Sequence, residues 1–151
     1  MSKAFVLALA AAAGRAHAEA GGLVVSALFG TEPPAYVHAA ISNVLSFTLP
    51  TTKLVVHLST ASLAKPDSFT DPRIYINPDR QHTSSATGLV TRQHASNVRY
   101  ASQHLEFDHV VLFASTCRLL VGGGLLESTI RDIHFSAVMQ PPWAQIALLP
   151  C

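Results

Sequence analysis

Three short, almost wholly apolar runs constrain this chain most: "LVVSALFG" at 23–30, "KLVVHLS" at 53–59 and "HVVLFAS" at 109–115. Runs this short, rich in β-branched residues and without polar alternation, suit strands buried on both faces, as in a parallel sheet. What separates them has helical character. After the first run comes "TEPP", with Thr31 as an N-cap and prolines in the first turn, where a missing N–H costs nothing. The helix it opens, about 33–48, keeps Val37, Ile41, Val44, Leu45 and Thr48 on one stripe. "KPDSFTDP" reads as a loop, and "RIYIN" at 73–77 as a short alternating strand stopped by Pro78. A polar loop, "PDRQHTSSATG", leads to a second helix over about 88–105, and "GGGLLESTIRDI" supplies a loop and a short helix. The order β-α-β-β-α-β-α predicts an α/β domain on a mostly parallel sheet with flanking helices.

The chain has 151 residues, enough for one domain with one core. With 49% hydrophobic and 13% charged residues it must pack an apolar interior. A formal net charge of +1 and the lack of any Lys/Arg run argue against a nucleic-acid partner. The two cysteines, Cys117 and Cys151, make no disulfide framework or zinc motif and read as unpaired thiols. The first 20 residues differ in kind: Lys3, an apolar run from Ala4 to Ala13, then Ala16-His17-Ala18 before Glu19. That is the order of a secretory signal peptide, with an organelle transit segment as the alternative. The run is too short to span a membrane. Residues 21–138 then form the α/β domain, and 139–151 an irregular tail.

A ligand of such a sheet sits beyond the carboxyl ends of the strands, near a topological switch point. Those positions are Phe29 to Glu32, His57 to Thr60, Asn77 to His82 and Ser115 to Arg118. They offer hydroxyls, amides, imidazoles and guanidinium groups, a set better suited to a diphosphate than to a divalent metal. "GGGLLE" completes no dinucleotide fingerprint, and the histidines show no metal-ligand spacing. On the second helix, His94 and Asn97 share a stripe with Val90, Val98, Ala101 and Leu105. A buried amide or imidazole needs partners, so the pair is expected to be structural, bonded to neighbouring strands.

From Leu23 to Ile133 the layout resembles the N-terminal half of a core-2/I-branching type N-acetylglucosaminyltransferase, a family that includes peptide xylosyltransferases. The resemblance rests on "VVSALFGTEPPAYVHAAISNVLSF", "KLVVHLS", "RIYINPDRQHTSSATGLVTRQHASNVRYA" and "EFDHVVLFASTCRLLVGGGLLESTI". It implies a truncated nucleotide-diphospho-sugar transferase fold of the GT-A type. It further implies a UDP-sugar donor, a carbohydrate or glycoprotein acceptor, no cofactor, and residence in the Golgi or outside the cell. Phe29, Gly30, Thr31, His57, Ser59, Asn77, Arg80, Ser115 and Arg118 become the donor-site candidates. The chain also departs from the family. His57-Leu58-Ser59 stands where His-x-Asp is usual, and "SSATG" replaces a tryptophan-glycine pair. No Asp-x-Asp follows the fourth expected strand, in keeping with a metal-independent family. The family's acceptor half and carboxylate base lie beyond the part that matches, so reduced or absent activity is expected. Two other readings remain: a non-enzymatic secreted remnant or binding module, and an unrelated doubly wound nucleotide- or phosphate-binding domain.

Overall fold

A computed structural model describes residues 5–9, 22–82, 89–117, 119–120, 124–130 and 146–150. In chain order the elements are β1 (Phe5–Leu9), β2 (Leu23–Phe29), α1 (Pro34–Phe47), β3 (Lys53–Leu58), β4 (Ile74–Ile76), α2 (Leu89–His104), β5 (His109–Phe113) and β6 (Ile146–Pro150). One sheet takes all the strands in the order β4-β3-β2-β5-β1-β6. The apolar runs form its parallel part: β2 lies between β3 and β5, and β3 pairs with β4. β1 runs antiparallel between β5 and β6. The α/β class and the parallel sheet with helices against it are those read from the sequence. Both antiparallel strands lie in segments read there as leader and tail.

Period-two alternation divides the side chains between two layers. Val25, Ala27 and Phe29 of β2, with Leu54, Val56 and Leu58 of β3 and Val111 and Phe113 of β5, face α1, which inserts Val37, Ala40, Ile41 and Val44. Val24, Val55, Val110 and Leu112 point the other way, toward Ala101, Val98 and Leu105 on the α2 side. The helices thus cover opposite faces, which is the doubly wound, Rossmann-like arrangement. Strand order reverses between β2 and β5. The chain leaves β2 toward β3 by way of α1, and returns past β2 to β5 by way of α2.

The start of α1 corrects one expectation. Thr31 is exposed and caps nothing; the N-cap is Pro33, at φ −57° and ψ 144°, with no side-chain cap bond. Pro34 forces the residue before it out of the helical region, so the helix begins later than a Thr31 cap would allow. At the other end the Thr48 hydroxyl donates to the Val44 carbonyl at 2.8 Å, closing the last turn.

Candidate functional site

α2 runs back over the sheet, so its first half covers the carboxyl halves of the strands. There the apolar layer gives way to a polar one. Gln93, His94 and Asn97 of α2 are buried, facing Ser26 of β2, His57 of β3 and Asn77 just after β4, all of them buried too. Val90, expected on the same stripe, is 38% exposed. The buried stripe turns instead through Gln93.

Asn97 is the hub. Its Nδ2 donates to Ser26 Oγ at 3.0 Å and to the carbonyls of Ala27 and Val55 at 3.2 Å each. Its Oδ1 accepts from Asn77 Nδ2 at 3.0 Å. Ser26 Oγ also lies 2.8 Å from His94 Nδ1. The Ser26 hydroxyl accepts from Asn97 and can at the same time give its proton to Nδ1 of a neutral imidazole. Burial, with the neighbouring His57 adding to it, pushes the His94 pKa down to about 4. The web continues outward, for Asn77 Nδ2 also donates to Ser96 Oγ, and Ser96 donates to the exposed carboxylate of Asp79 at 2.8 Å. That bond, more than any other contact, holds the Asp79 carboxyl below its usual range. A serine bonded to a histidine invites comparison with a nucleophile and its base. Ser26 is fully buried in mid-strand with its oxygen committed to Asn97, so this pair holds a helix in place.

The donor-site candidates separate into groups. Phe29 and Ser59 are buried; the Phe29 ring belongs to the α1-side core and its carbonyl accepts the Ser59 N–H at 2.8 Å. Asn77 is taken up by the web. His57 is fully buried with Nε2 against the backbone of Gln81, and burial lowers its pKa despite the opposing pull of Gln81 and Asp79. Gly30, Thr31 and Ser115 lie at the strand tips beside the switch point, and Arg80 at the tip of β3. Arg80 is exposed, yet its Nε and Nη2 donate to the carbonyls of Leu58 and Ser59 at 3.2 and 2.8 Å. Arg118 lies outside the described residues.

At the switch point itself, the Tyr36 hydroxyl on the first turn of α1 donates to the Ser115 carbonyl at 2.8 Å and ties the tips together. The backbone amides that would cradle a phosphate there are largely spent. Pro33 and Pro34 have no N–H, the N–H groups of Tyr36 and Val37 both donate to Pro33, and the Gly30 N–H donates to Glu32. Beyond Ser115 the chain follows the flank of α1. Asn43 exchanges bonds with the backbone of Leu119 at 3.0 and 2.8 Å, and Glu127 accepts from Leu49 N–H and Thr52 Oγ1 at 2.7 and 2.6 Å. Gly124, at φ 83°, starts the helical stretch 125–130 with the space where a Cβ would stand only 3.2 Å from Leu49.

Three features of the site were not foreseen: Gln93 in the interior, the commitment of Arg80, and the state of Cys117. Cys117 is buried and disulfide-bonded, which corrects its reading as a free thiol. Among the described residues there is no group of three or more His, Cys, Asp or Glu that could hold a metal, and no helix long and apolar enough to cross a membrane. The chain matches no family model, no curated protein and no solved structure.

Proposed function

We infer that this chain is the donor-binding half of a nucleotide-sugar-transferase-like α/β domain, one that binds a nucleoside diphosphate without metal and does not transfer the sugar. The observation that carries this reading is the reversal of strand order between β2 and β5. It opens a crevice whose tips present Gly30-Thr31 and Ala114-Ser115-Thr116, with Arg80 on the neighbouring strand tip. No acidic pair follows β5, so charge on a diphosphate falls to cationic side chains. The spent amides at the start of α1 weigh against a phosphate cradle of the dinucleotide-binding kind. They disfavour the unrelated phosphate-binding alternative.

The reading that transfer is lost is supported by the carboxylates nearest the crevice. An inverting transfer needs a base free to take the acceptor's proton. Glu32 is bonded to Gly30 N–H, and Asp79 to Ser96 and Gln81. Glu127 is buried against Leu49 and Thr52, which lead into β3 at the opposite end of the sheet.

Titration with UDP in the presence and absence of chelator tests the reading. Binding at millimolar concentration or tighter, unchanged by chelator, is expected, with no sugar released from a UDP-sugar. Binding lost with Mg²⁺ or Mn²⁺ removed refutes the metal-independent assignment, and no binding at all favours the remnant. Arg80→Ala is expected to weaken UDP by about 1.5–3 kcal/mol if its guanidinium meets the diphosphate. A urea melt of the same variant separates that loss from the loss of its bonds to Leu58 and Ser59.

A further inference from the structure

The buried layer under the first half of α2 holds two imidazoles and no charge to balance them. His94 comes from α2 and His57 from β3, and a positive charge on one opposes a charge on the other. Among the described residues no carboxylate is buried in this layer. β2 presents Ser26, and the facing part of β5 presents Leu112. His109 lies at the far end of β5, and Tyr75 of β4 packs against the apolar cluster around Ala101. The charged and titratable groups near by are exposed: Asp79 and Arg80, which act on His57 with opposite sign, His82 and, on α2 itself, Arg92. Asp79 already accepts from Ser96 and Gln81.

Neither ring has a place for a second proton. A protonated imidazole donates from both nitrogens. His57 Nδ1 is buried with no partner, and its Nε2, 3.4 Å from the Gln81 nitrogen, could then no longer accept from that N–H. On His94, Nδ1 could no longer take the Ser26 proton. Burial accordingly keeps both rings neutral at pH 7. The same stretch of helix carries the ties to the turn after β4. Gln93 Nε2 donates to the His82 carbonyl at 2.8 Å, and Asn77 donates to both Asn97 and Ser96. Further along, α2 rests on apolar side chains, Val98 and Ala101 against Val24 and Val55, which no proton disturbs. We propose that the first half of α2 is an acid-released latch over the carboxyl end of the sheet, shut while both imidazoles are neutral and lifting off, with residues 77–82, when either takes a proton. The second half is its hinge. Arg80 rides on the freed segment, so acid loosens the candidate donor site.

That last consequence rests on the donor-binding reading above; the latch does not. Hydrogen exchange in low urea, on the full chain at pH 7 and pH 5, tests it. Released turns lose the packing that keeps a short helix formed, so their amides report the opening. Amides 94–97 are expected to open about twentyfold more readily at pH 5, the factor that His94 alone supplies, and with a weaker urea dependence than the amides of β2. Opening no more frequent at pH 5 overturns the latch. So does a urea dependence equal to that of β2, which marks global unfolding. His94→Gln stays neutral and keeps an acceptor for Ser26, so it should remove most of the rise; a full rise in both His94→Gln and His57→Gln overturns the latch. If either variant does not fold, ¹⁵N titration of the two rings in the wild type decides, and rings that titrate while the helix stays shut overturn it. Between pH 7 and pH 5, UDP affinity should fall further in the wild type than in His94→Gln, which controls for the nucleotide's own ionisation. An equal fall overturns the coupling to the donor site. No UDP binding at either pH overturns the donor-binding reading, and the exchange result then decides the latch.

Discussion

Asn97 meets three acceptors and one donor, and none of its partners is a solvent-exposed group that water could satisfy in its place. Asn97→Ala strands them together. The expected loss is about 2–4 kcal/mol of stability, more than one bond because several buried groups go unpaired, and urea denaturation measures it. If the variant is as stable as the parent, α2 does not lie on the sheet as described. His94 makes a different demand. Its folded pKa, about 4, is below the ordinary histidine value of 6.5, so between these pH values the unfolded chain holds more protons than the folded one. Stability from keeping the ring neutral is complete above pH 6.5 and drains away as pH falls toward 4, by about 3 kcal/mol in all. Asp79 and Asp71 also have lowered pKa values, held by Ser96 and Arg73 respectively, and their contributions fade only as pH falls through the ordinary carboxylate range and below it. The His94 loss therefore begins at higher pH. A stability profile flat from pH 7 to 5 would contradict a buried neutral imidazole.

At the scale of elements, the segment after β5 is tied to α1 by side chains rather than by a ladder. Asn43 supplies both a donor and an acceptor to Leu119. Asn43→Ala is expected to raise the hydrogen-exchange rate of the Leu119 amide about tenfold, the equivalent of one lost bond, with the β2 and β3 amides unchanged. Unchanged exchange at Leu119 would mean that other contacts hold this run in place. The elements themselves were readable to differing degrees. "LVVSALF", "KLVVHL" and "HVVLF" announce parallel strands because apolar residues on both faces leave no other economical placement. His94 and Asn97 announced a buried polar pair through their helical spacing with Ala101. Gln93 did not, since a glutamine beside a histidine on a polar helix looks like solvent-facing surface until Ser26, His57 and Asn77 are set opposite it. Arg80 was visible as a cation at a strand tip. Its bonds to Leu58 and Ser59 depend on how the chain turns after β4, which residue types alone do not specify.

For the whole molecule, the N-terminal segment decides how the sheet ends. β1 pairs with β5 on one side and β6 on the other, so removal of residues 1–18 would expose the β5 edge and take away the strand β6 pairs with. The disulfide at Cys117 fits an oxidising compartment. It supports the proposal that the chain enters the secretory pathway. The secreted product is then expected to begin at Glu19, with Ala16-His17-Ala18 as the recognised site, and N-terminal sequencing checks it. A product still starting at Met1 or Ser2 keeps β1 and rules out that processing. The antiparallel pair escaped the sequence reading because "FVLAL" is equally good as the greasy core of a signal peptide.

The polar layer beneath α2 also bears on the order of events during folding. An oily interface rewards approximate contact, so a helix can settle on a sheet early and adjust its position afterwards. Ser26, His94, Asn97 and Asn77 must shed water before they can bond, and they bond in one alignment only. Docking of α2 is therefore expected to be a late step, with its seat on the sheet still solvated at the barrier. Conservative substitutions along Val37, Ile41 and Val44 of α1 should slow folding, whereas Asn97→Ala should chiefly accelerate unfolding.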